Sequence, residues 1–526
     1  MQAPISAVAP RTHEYVRPGL YFGRPQPGSK TGEASAAGAP WATEIKPRAN
    51  VLVSPGGQDS SAHFLLFSRA IAFAAHIIRR TASRRLKRSG PENTLFQRYF
   101  LDPYRFVPPY RGKLWCRVAK HVMPRHLRRK MGVPLLHFQG LEYLRDSLSK
   151  NAGILLASNH VRWADPIVVG AMGLEVQRYF YYVVSYHIFK QNRVIGWWLN
   201  RIGGYSILRE GADREAIRAT VGILTKAERP ILMFPEGTWF RQNDRVGPLQ
   251  EGLGLIVRQA VKQSERPILI HPVGIKYWLL GDPRPELNRR VEKLERGLGW
   301  LPKHGANLPE RLGQVGNALL AVKEIERFGR AQEGALDERI RRLTCVLIGD
   351  MEKRYLGKEY EGWNLERVRR LRLILVRKLT ESRDDADASR VTREALEVLL
   401  FCENLSAHSH EYLAERPSLE RIAETIQRIE ETMADRMEEP VGELGATLAV
   451  GPAVDVRAFA SKRAARDAGD PLTAAAADGM KSLLLQMLEQ GPPPDWNCLP
   501  PVGNPLSSAV QWSNGAVVKP DKHAVT

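Results

Sequence analysis

Gly153-Ile154-Leu155-Leu156-Ala157-Ser158-Asn159-His160-Val161-Arg162-Trp163-Ala164-Asp165-Pro166 sets one apolar run directly against a polar turn. Continuous apolarity over about four to eight residues suits a strand buried on both faces. Runs of the same kind recur at 179–184, 205–208, 231–234 and 268–275. Helix-period stretches separate them. In one, Asp213 stands where it can cap a helix that buries Ile217, Val221 and Leu224; in another, Leu249, Leu253, Ile256, Val257 and Ala260 form a stripe. Short buried strands alternating with amphipathic helices predict an α/β fold, a mostly parallel sheet flanked by helices.

Working outward, residues 131–280 are the expected α/β core. Residues 1–58 carry scattered Pro, Gly, Ala and Ser without apolar periodicity and read as a disordered tail. Residues 59–130 read as basic amphipathic helices, broken at Pro108-Pro109. After Trp278 the pattern is almost wholly helical to about residue 440, including a basic amphipathic stretch at 365–380 and a helix at 417–433 with Ile422, Ile426 and Ile429 on one face. Then comes one strand-like run, Ala446-Thr447-Leu448-Ala449-Val450, with Gly451-Pro452 behind it and a last helix from Leu472. A strand alone among helices would bury unpaired backbone groups, so it should seek an existing sheet edge. Residues 281–440 are therefore expected to be a large helical insertion, and 441–490 the returning strand and final helix of the core. Residues 491–526, with Pro492-Pro493-Pro494, read as a tail. No repeat with a period of about 20–50 residues is evident.

The chemistry gathers behind the strands. In Asn159-His160-Val161-Arg162-Trp163-Ala164-Asp165, a His ends a buried strand and an Asp follows five residues on. A neutral imidazole can take a proton near neutral pH, and a carboxylate on one ring nitrogen fixes which nitrogen does so. Asp165-Pro166 also reads as a helix N-cap followed by Pro at the first helical position, in which case Asp165 only starts a helix. Gly203-Gly204-Tyr205-Ser206-Ile207-Leu208-Arg209 is a glycine turn entering a short strand that ends in a guanidinium, which suits phosphate; a surface Arg at a strand end is the plainer account. Phe234-Pro235-Glu236-Gly237-Thr238 is a turn at the rim of the sheet. Pro272, in Ile270-His271-Pro272-Val273-Gly274, implies a sheet edge or a strand start.

Asn-His-x-x-x-x-Asp, Gly-x-x-x-Ile-x-Arg, Phe-Pro-Glu-Gly-Thr and a Pro-Val strand, in this order, resemble the four motif blocks of the lysophosphatidic acid (1-acylglycerol-3-phosphate) acyltransferase family, over roughly residues 135–280. The resemblance implies a general base at His160, oriented by Asp165. It implies acceptor-phosphate binding by Gly203, Arg209, Glu236, Gly237 and Thr238. It also implies an acyl-CoA or acyl carrier protein donor, a lysophospholipid or glycerol phosphate acceptor, and neither cofactor nor metal. A thioester is already activated, so no covalent nucleophile is required; Gly204-Tyr205-Ser206-Ile207-Leu208 lacks the last glycine of a nucleophile elbow. Two positions depart from the family. Trp239 follows Phe-Pro-Glu-Gly-Thr where Arg is common, the nearest Arg being Arg241, and Gln250-Glu251 precede Gly252 where a Lys often stands. Both remove cations from the phosphate region and leave the acceptor open, to a different lysophospholipid or another hydroxylated lipid.

Composition bounds the partners. The chain has 526 residues, 43% hydrophobic and 25% charged, and a formal net charge of +20, which points to an anionic partner. A membrane surface fits best. Residues 64–78 are apolar but interrupted by Ser68, Arg69 and His76, and are followed by Arg79, Arg80, Arg84, Arg85, Lys87 and Arg88, the pattern of a helix lying in an anionic interface. A helix packed on the core with a solvated basic end is the plainer reading. No nucleic-acid module signature accompanies the charge. The four scattered cysteines form no Cys-x-x-Cys pair and suit a reducing, intracellular compartment. The start of the chain lacks a secretory pattern. The expectation is a peripheral membrane enzyme on the cytoplasmic face; the alternative is a non-catalytic lipid-binding or scaffolding protein on the same fold.

Overall fold

Strand β2 (Gly153–Ser158) is buried along its whole length and divides its side chains between two cores. Ile154 and Leu156 join one apolar cluster and Leu155 and Ala157 the other, as the two-residue period of a strand requires. The computed structural model describes residues 104–499 apart from 192, 210, 212, 239–240, 363, 383–384, 407–409, 435–437 and 460–469, together with 512–513 and 516–517. All of these fall within the compact unit Ala62–Thr526. The expected tail at 1–58 and the expected membrane helix at 64–88 lie outside the described residues.

The remaining strands are β1 (Leu135–Gln139), β3 (Tyr181–Ser185), β4 (Gly204–Ile207), β5 (Ile231–Met233), β6 (Ile268–Leu279), β7 (Leu444–Val450) and β8 (Val454–Asp455). They form an eight-stranded sheet in the order β1-β7-β6-β2-β5-β3-β4, with β8 beside β6. From β6 to β4 every pairing is parallel. β7 runs antiparallel to β6, from Val273↔Val450 to Leu279↔Leu444, and parallel to β1. The strand-like run after the long helical region thus lies inside the main sheet, the pairing an insertion requires. β1 is half exposed, with no continuous apolar run to mark it in the sequence.

Helices α1 (Leu114–Lys130), α2 (Leu141–Ser149) and α3 (Asp165–Glu175) are followed by α4 (Tyr186–Gln191), α5 (Arg193–Arg201), α6 (Arg214–Lys226) and α7 (Gly252–Lys262). The helical region holds α8 (Arg284–Gly297), α9 (Leu308–Phe328), α10 (Leu336–Leu356), α11 (Asn364–Glu381), α12 (Ala386–Ser406), α13 (His410–Glu415) and α14 (Leu419–Ala434); α15 (Pro471–Gln490) closes the core. α6 and α7 cover one face of the sheet with the start of α15. The other face is covered by α3 and by α8 and α14 of the helical region, through Leu287, Val291, Ile422 and Ile426. Asp213 caps α6 as expected, accepting the Ala216 N–H at 3.0 Å. α10, α11 and α12 bury a separate apolar core around Val368, Leu371, Leu375 and Leu399.

Three expectations change. Pro272 lies well inside β6, paired with β2 through Ala157, and is neither at an edge nor at a strand start. Its missing N–H falls where partners change: β8 pairing ends at Ile270, β7 pairing begins at Val273, and Gly451 N–H reaches the Pro272 carbonyl at 2.8 Å. Residues 491–499, expected as part of a tail, pack on the core: Trp496 is buried and the Asn497 carbonyl accepts the Gly281 N–H at 2.6 Å. A repeat is also present. Arg311, Arg339 and Arg367 follow one another at 28-residue intervals, and each clasps a buried Glu of the preceding helix: Glu295 at 2.8 Å, Glu324 at 2.7 Å and Glu352 at 2.8 Å. Each arginine stands in a short step, Glu310-Arg311-Leu312, Glu338-Arg339-Ile340 and Glu366-Arg367-Val368, too brief to stand out in the sequence.

Candidate active site

The parallel strands all end on one side, and their carboxyl ends carry the polar turns. Ligands of open α/β sheets collect there. A cavity of about 1080 Å³ opens on this side, lined by His160, Arg209, Gly237, Thr238 and Arg241, and by Arg372, Glu403, Arg428 and Glu431 of the helical region. Its apolar part is formed by Val122 and Met123 of α1, Ile167, and Val194, Ile195 and Trp198 of α5.

His160 follows β2 and stacks on Phe234, which follows β5, with ring centroids 4.1 Å apart. Its Nδ1 lies 2.8 Å from Asp165 Oδ2. Asp165 is fully buried. It begins α3 but does not cap it: the N-cap is Ala164, and the Asp165 carboxylate accepts the N–H groups of Val161 and Arg162, at 2.6 and 2.9 Å, from the loop before it. Its second oxygen accepts the Tyr277 hydroxyl at 2.6 Å. Burial, then the neighbouring Asp165, push the Tyr277 phenol well above its ordinary range, so it stays protonated and donates. With both oxygens occupied, the carboxylate is fixed in place and holds the imidazole with it. Tyr277 sits on β6, far along the chain, and nothing in the sequence singled it out.

Beyond the end of β2, the backbone of β6 would lack a partner. Two asparagine side chains supply one. Asn159 donates to the Ile275 carbonyl at 3.0 Å and accepts its N–H at 2.8 Å. Asn243 does the same for Tyr277, at 2.7 Å in both directions. Asn159 is therefore structural: it ties the His160 loop to the strand that carries Tyr277. His271 is structural too, bridging Ser147 Oγ and the Gly451 carbonyl at 2.9 Å each.

The other expected site residues divide. Gly237 and Thr238 line the cavity. Gly237 takes φ +68°, and a Cβ there would overlap the side chain of Gln250, so the turn needs glycine. Arg209 also lines the cavity, but its Nη1 donates to the Gly237 carbonyl at 2.7 Å, holding the turn. Glu236 is buried, with Oε1 receiving the Gly247 N–H at 3.4 Å; burial raises its carboxyl well above the usual range. It supports the turn from behind and does not line the cavity. Gly203 is at the opposite end of β4 from Arg209, where φ +108° and the nearby Phe180 carbonyl exclude a side chain. The sheet separates it from the others, and its place in the motif is a backbone requirement of strand entry.

The helical region supplies what the motifs did not indicate. Arg369 of α11 donates to the Glu236 carbonyl at 2.8 Å, so Arg209 and Arg369 grip successive carbonyls of one turn. Arg372, one helical turn on, pairs with Glu403 of α12, which also accepts the Thr238 hydroxyl at 3.0 Å. Arg241 pairs with Glu431 of α14. Burial, then Arg428 and Arg162, lower Arg241 to about 10, still charged at neutral pH. Among the described residues, no group of three or more His, Cys, Asp or Glu side chains is placed to hold a metal ion.

Residues 136–276 match the family model described as Acyltransferase. Curated relatives include a 1-acyl-sn-glycerol-3-phosphate acyltransferase of Streptococcus pneumoniae (strain ATCC BAA-255 / R6), 30% identical over 140 residues, 27% of this chain and 50% of that protein. A protein of the same name from Bacillus subtilis (strain 168) is 30% identical over 110 residues, 21% of this chain and 52% of that protein. The chain thus spans about half the length of the curated relatives it matches. The matched residues hold β2 to β5 and most of β6, with His160, Asp165, Arg209 and the 234–238 turn; the helical region lies outside them.

Proposed function

We propose, taking as premise the acyltransferase domain at residues 136–276, that the chain transfers a fatty acyl group from a thioester, acyl-CoA or acyl carrier protein, to a hydroxyl of a glycerol phosphate or lysophospholipid. The observation that carries the reading is the His160–Asp165 pair, with His160 at the wall of a cavity lined by both charged and apolar side chains. Asp165 holds Nδ1–H, and the opposite ring nitrogen takes the proton of the acceptor hydroxyl. The hydroxyl oxygen attacks the thioester carbonyl; the new C–O bond forms and the C–S bond breaks. The imidazolium returns its proton to the departing thiolate. The apolar lining from α1 and α5 suits the acyl chain.

The same two helices support attachment to a membrane surface. Leu114, Val118 and Val122 of α1 and Val194, Ile195 and Trp197 of α5 are exposed large apolar side chains, and Val122, Val194 and Ile195 also line the cavity. α1 carries exposed Arg117, Lys120, Arg125, Arg128, Arg129 and Lys130. An apolar face with a basic flank suits an anionic interface. No helix among the described residues is long and apolar enough to cross a membrane. Flotation with anionic vesicles, weakened by salt, is the expected result; flotation equal with neutral vesicles would contradict it. The activity is tested by offering labelled acyl-CoA and acyl carrier protein thioesters with a panel of lysolipids and glycerol 3-phosphate. Acyl ester formation on at least one acceptor is expected, and none on any acceptor would sink the reading.

A further inference from the structure

Glu403 is placed as a phosphate oxygen would be. Its carboxylate lies at the cavity wall, takes the Thr238 hydroxyl at 3.0 Å and pairs with Arg372. Its donors are a hydroxyl from the turn after β5 and a guanidinium, the groups that recur in phosphate recognition. Burial works to raise this carboxyl; Arg372, Arg209 and the Thr238 hydroxyl outweigh it and keep it charged. The surroundings favour an anion. Burial, and then repulsion from Arg209 and Arg372, hold His187 well below its ordinary value and hence neutral. Arg369 is held below the ordinary guanidinium value by burial in the first place, and Arg209 and Arg372 add to the lowering. Arg209 and Arg372 thus stand together at the cavity wall, with Arg369 close behind them on the Glu236 carbonyl. The clasps elsewhere in the helical region are one-to-one, Arg311 on Glu295 and Arg339 on Glu324, deep in the helix packing and not part of the wall of this cavity. Arg372 is one turn from Arg369 and five residues from the clasping Arg367, on the flank of α11 that faces the sheet.

We propose that Arg372 and Glu403, both from the helical region, complete the acceptor site as its phosphate-binding element. Arg372 binds the phosphate oxygens, and Glu403 occupies their place on Arg372 and Thr238 until the phosphate displaces it. The cations absent at 239 and 250–251 are in this way supplied from outside the matched domain. Arg369 is a positioning residue, acting through the Glu236 carbonyl. The proposal rests on the acyl-transfer reading for the identity of the ligand, a glycerol phosphate with or without one acyl chain. Its binding arm does not depend on turnover.

The experiment uses the full chain. Glycerol 3-phosphate binding is measured by calorimetry, and acyl transfer is followed with a lysophosphatidic acid and, separately, with the monoacylglycerol of the same chain length. Arg372→Ala is expected to weaken glycerol 3-phosphate binding about 10- to 100-fold, the range of a lost charge-assisted hydrogen bond. It should raise the KM for lysophosphatidic acid alike, by a larger factor than it changes the KM for the acyl donor or the rate with monoacylglycerol. Arg372→Lys should recover part of the affinity. Glu403→Gln should tighten glycerol 3-phosphate binding several-fold, because the competing carboxylate is gone. Arg372→Ala binding as the wild type does, or Glu403→Gln weakening binding as much as Arg372→Ala, overturns the proposal. Glycerol 3-phosphate binding that follows this pattern without any acyl transfer overturns the catalytic reading and leaves the phosphate site standing.

Discussion

The sheet and the helical region bury charge in opposite ways. At the carboxyl ends of the strands, the buried carboxylate of Asp165 is held by three hydrogen-bond donors of the protein besides His160. In the helical region, buried charge is architectural: Arg311, Arg339 and Arg367 each lie on a Glu of the preceding helix, at 28-residue intervals. Removing a charge should therefore cost rate in the first region and stability in the second. Arg369 and Arg372 belong to the second by position and to the first by contact, which is why they carry the inference above.

The sharpest test of that contrast is Asp165→Asn. The amide has one acceptor oxygen where the carboxylate has two, and it favours the wrong tautomer of His160. Acyl transfer should fall about 10²–10⁴-fold. A loss of less than tenfold would make Asp165 a structural residue only. Glu324→Ala tests the other side. It leaves the Arg339 guanidinium buried without its carboxylate, and breaking such a pair costs about 3–5 kcal/mol. Denaturant unfolding should record that loss, while turnover per folded molecule stays at the wild-type value. A stability change under 1 kcal/mol, from ~0 upward as for exposed pairs, would remove the clasps from the account.

The smallest expected effect is in pH. His187 has a value lowered well below 6.5, first by burial and then by Arg209 and Arg372. Below about 6.5 the unfolded chain takes up a proton there that the folded chain does not, so this contribution to stability is lost as pH falls from that value toward the lowered one. Glu236 has its carboxyl raised by burial, and its contribution runs the other way, declining as pH rises from its ordinary value. The readout is accordingly the difference between the wild type and His187→Asn: the melting temperature of the variant should fall less between pH 7.5 and 5.5. Equal falls would mean that His187 is protonated in the folded protein.

Much of this was legible from residue types alone. β2 to β6 stand out because strands buried on both faces need continuous apolar runs, and the returning strand at Leu444–Val450 stands out because it is apolar among helices. β1 does not, being partly exposed. His160 and Asp165 are close in sequence and so are visible as a pair; Tyr277, Arg369, Arg372 and Glu403 reach the site through tertiary packing, which no local pattern encodes. Gly203 is the opposite case. A glycine beside a motif is conspicuous, yet its φ +108° serves the turn into β4 at the far end of the strand. Pro272 likewise signals a break in pairing, and the break lies between two partners of β6 in the middle of the sheet.

We propose His160 as the base that deprotonates the acceptor hydroxyl. Thiol release from an acyl thioester, recorded with and without a lysophosphatidic acid acceptor for the wild type and for His160→Ala, tests it most directly, with the melting temperature of each protein measured beside it. Acceptor-dependent release should fall about 10²–10⁴-fold in His160→Ala while the two proteins melt alike. Near-wild-type acceptor-dependent release by a folded His160→Ala would contradict it.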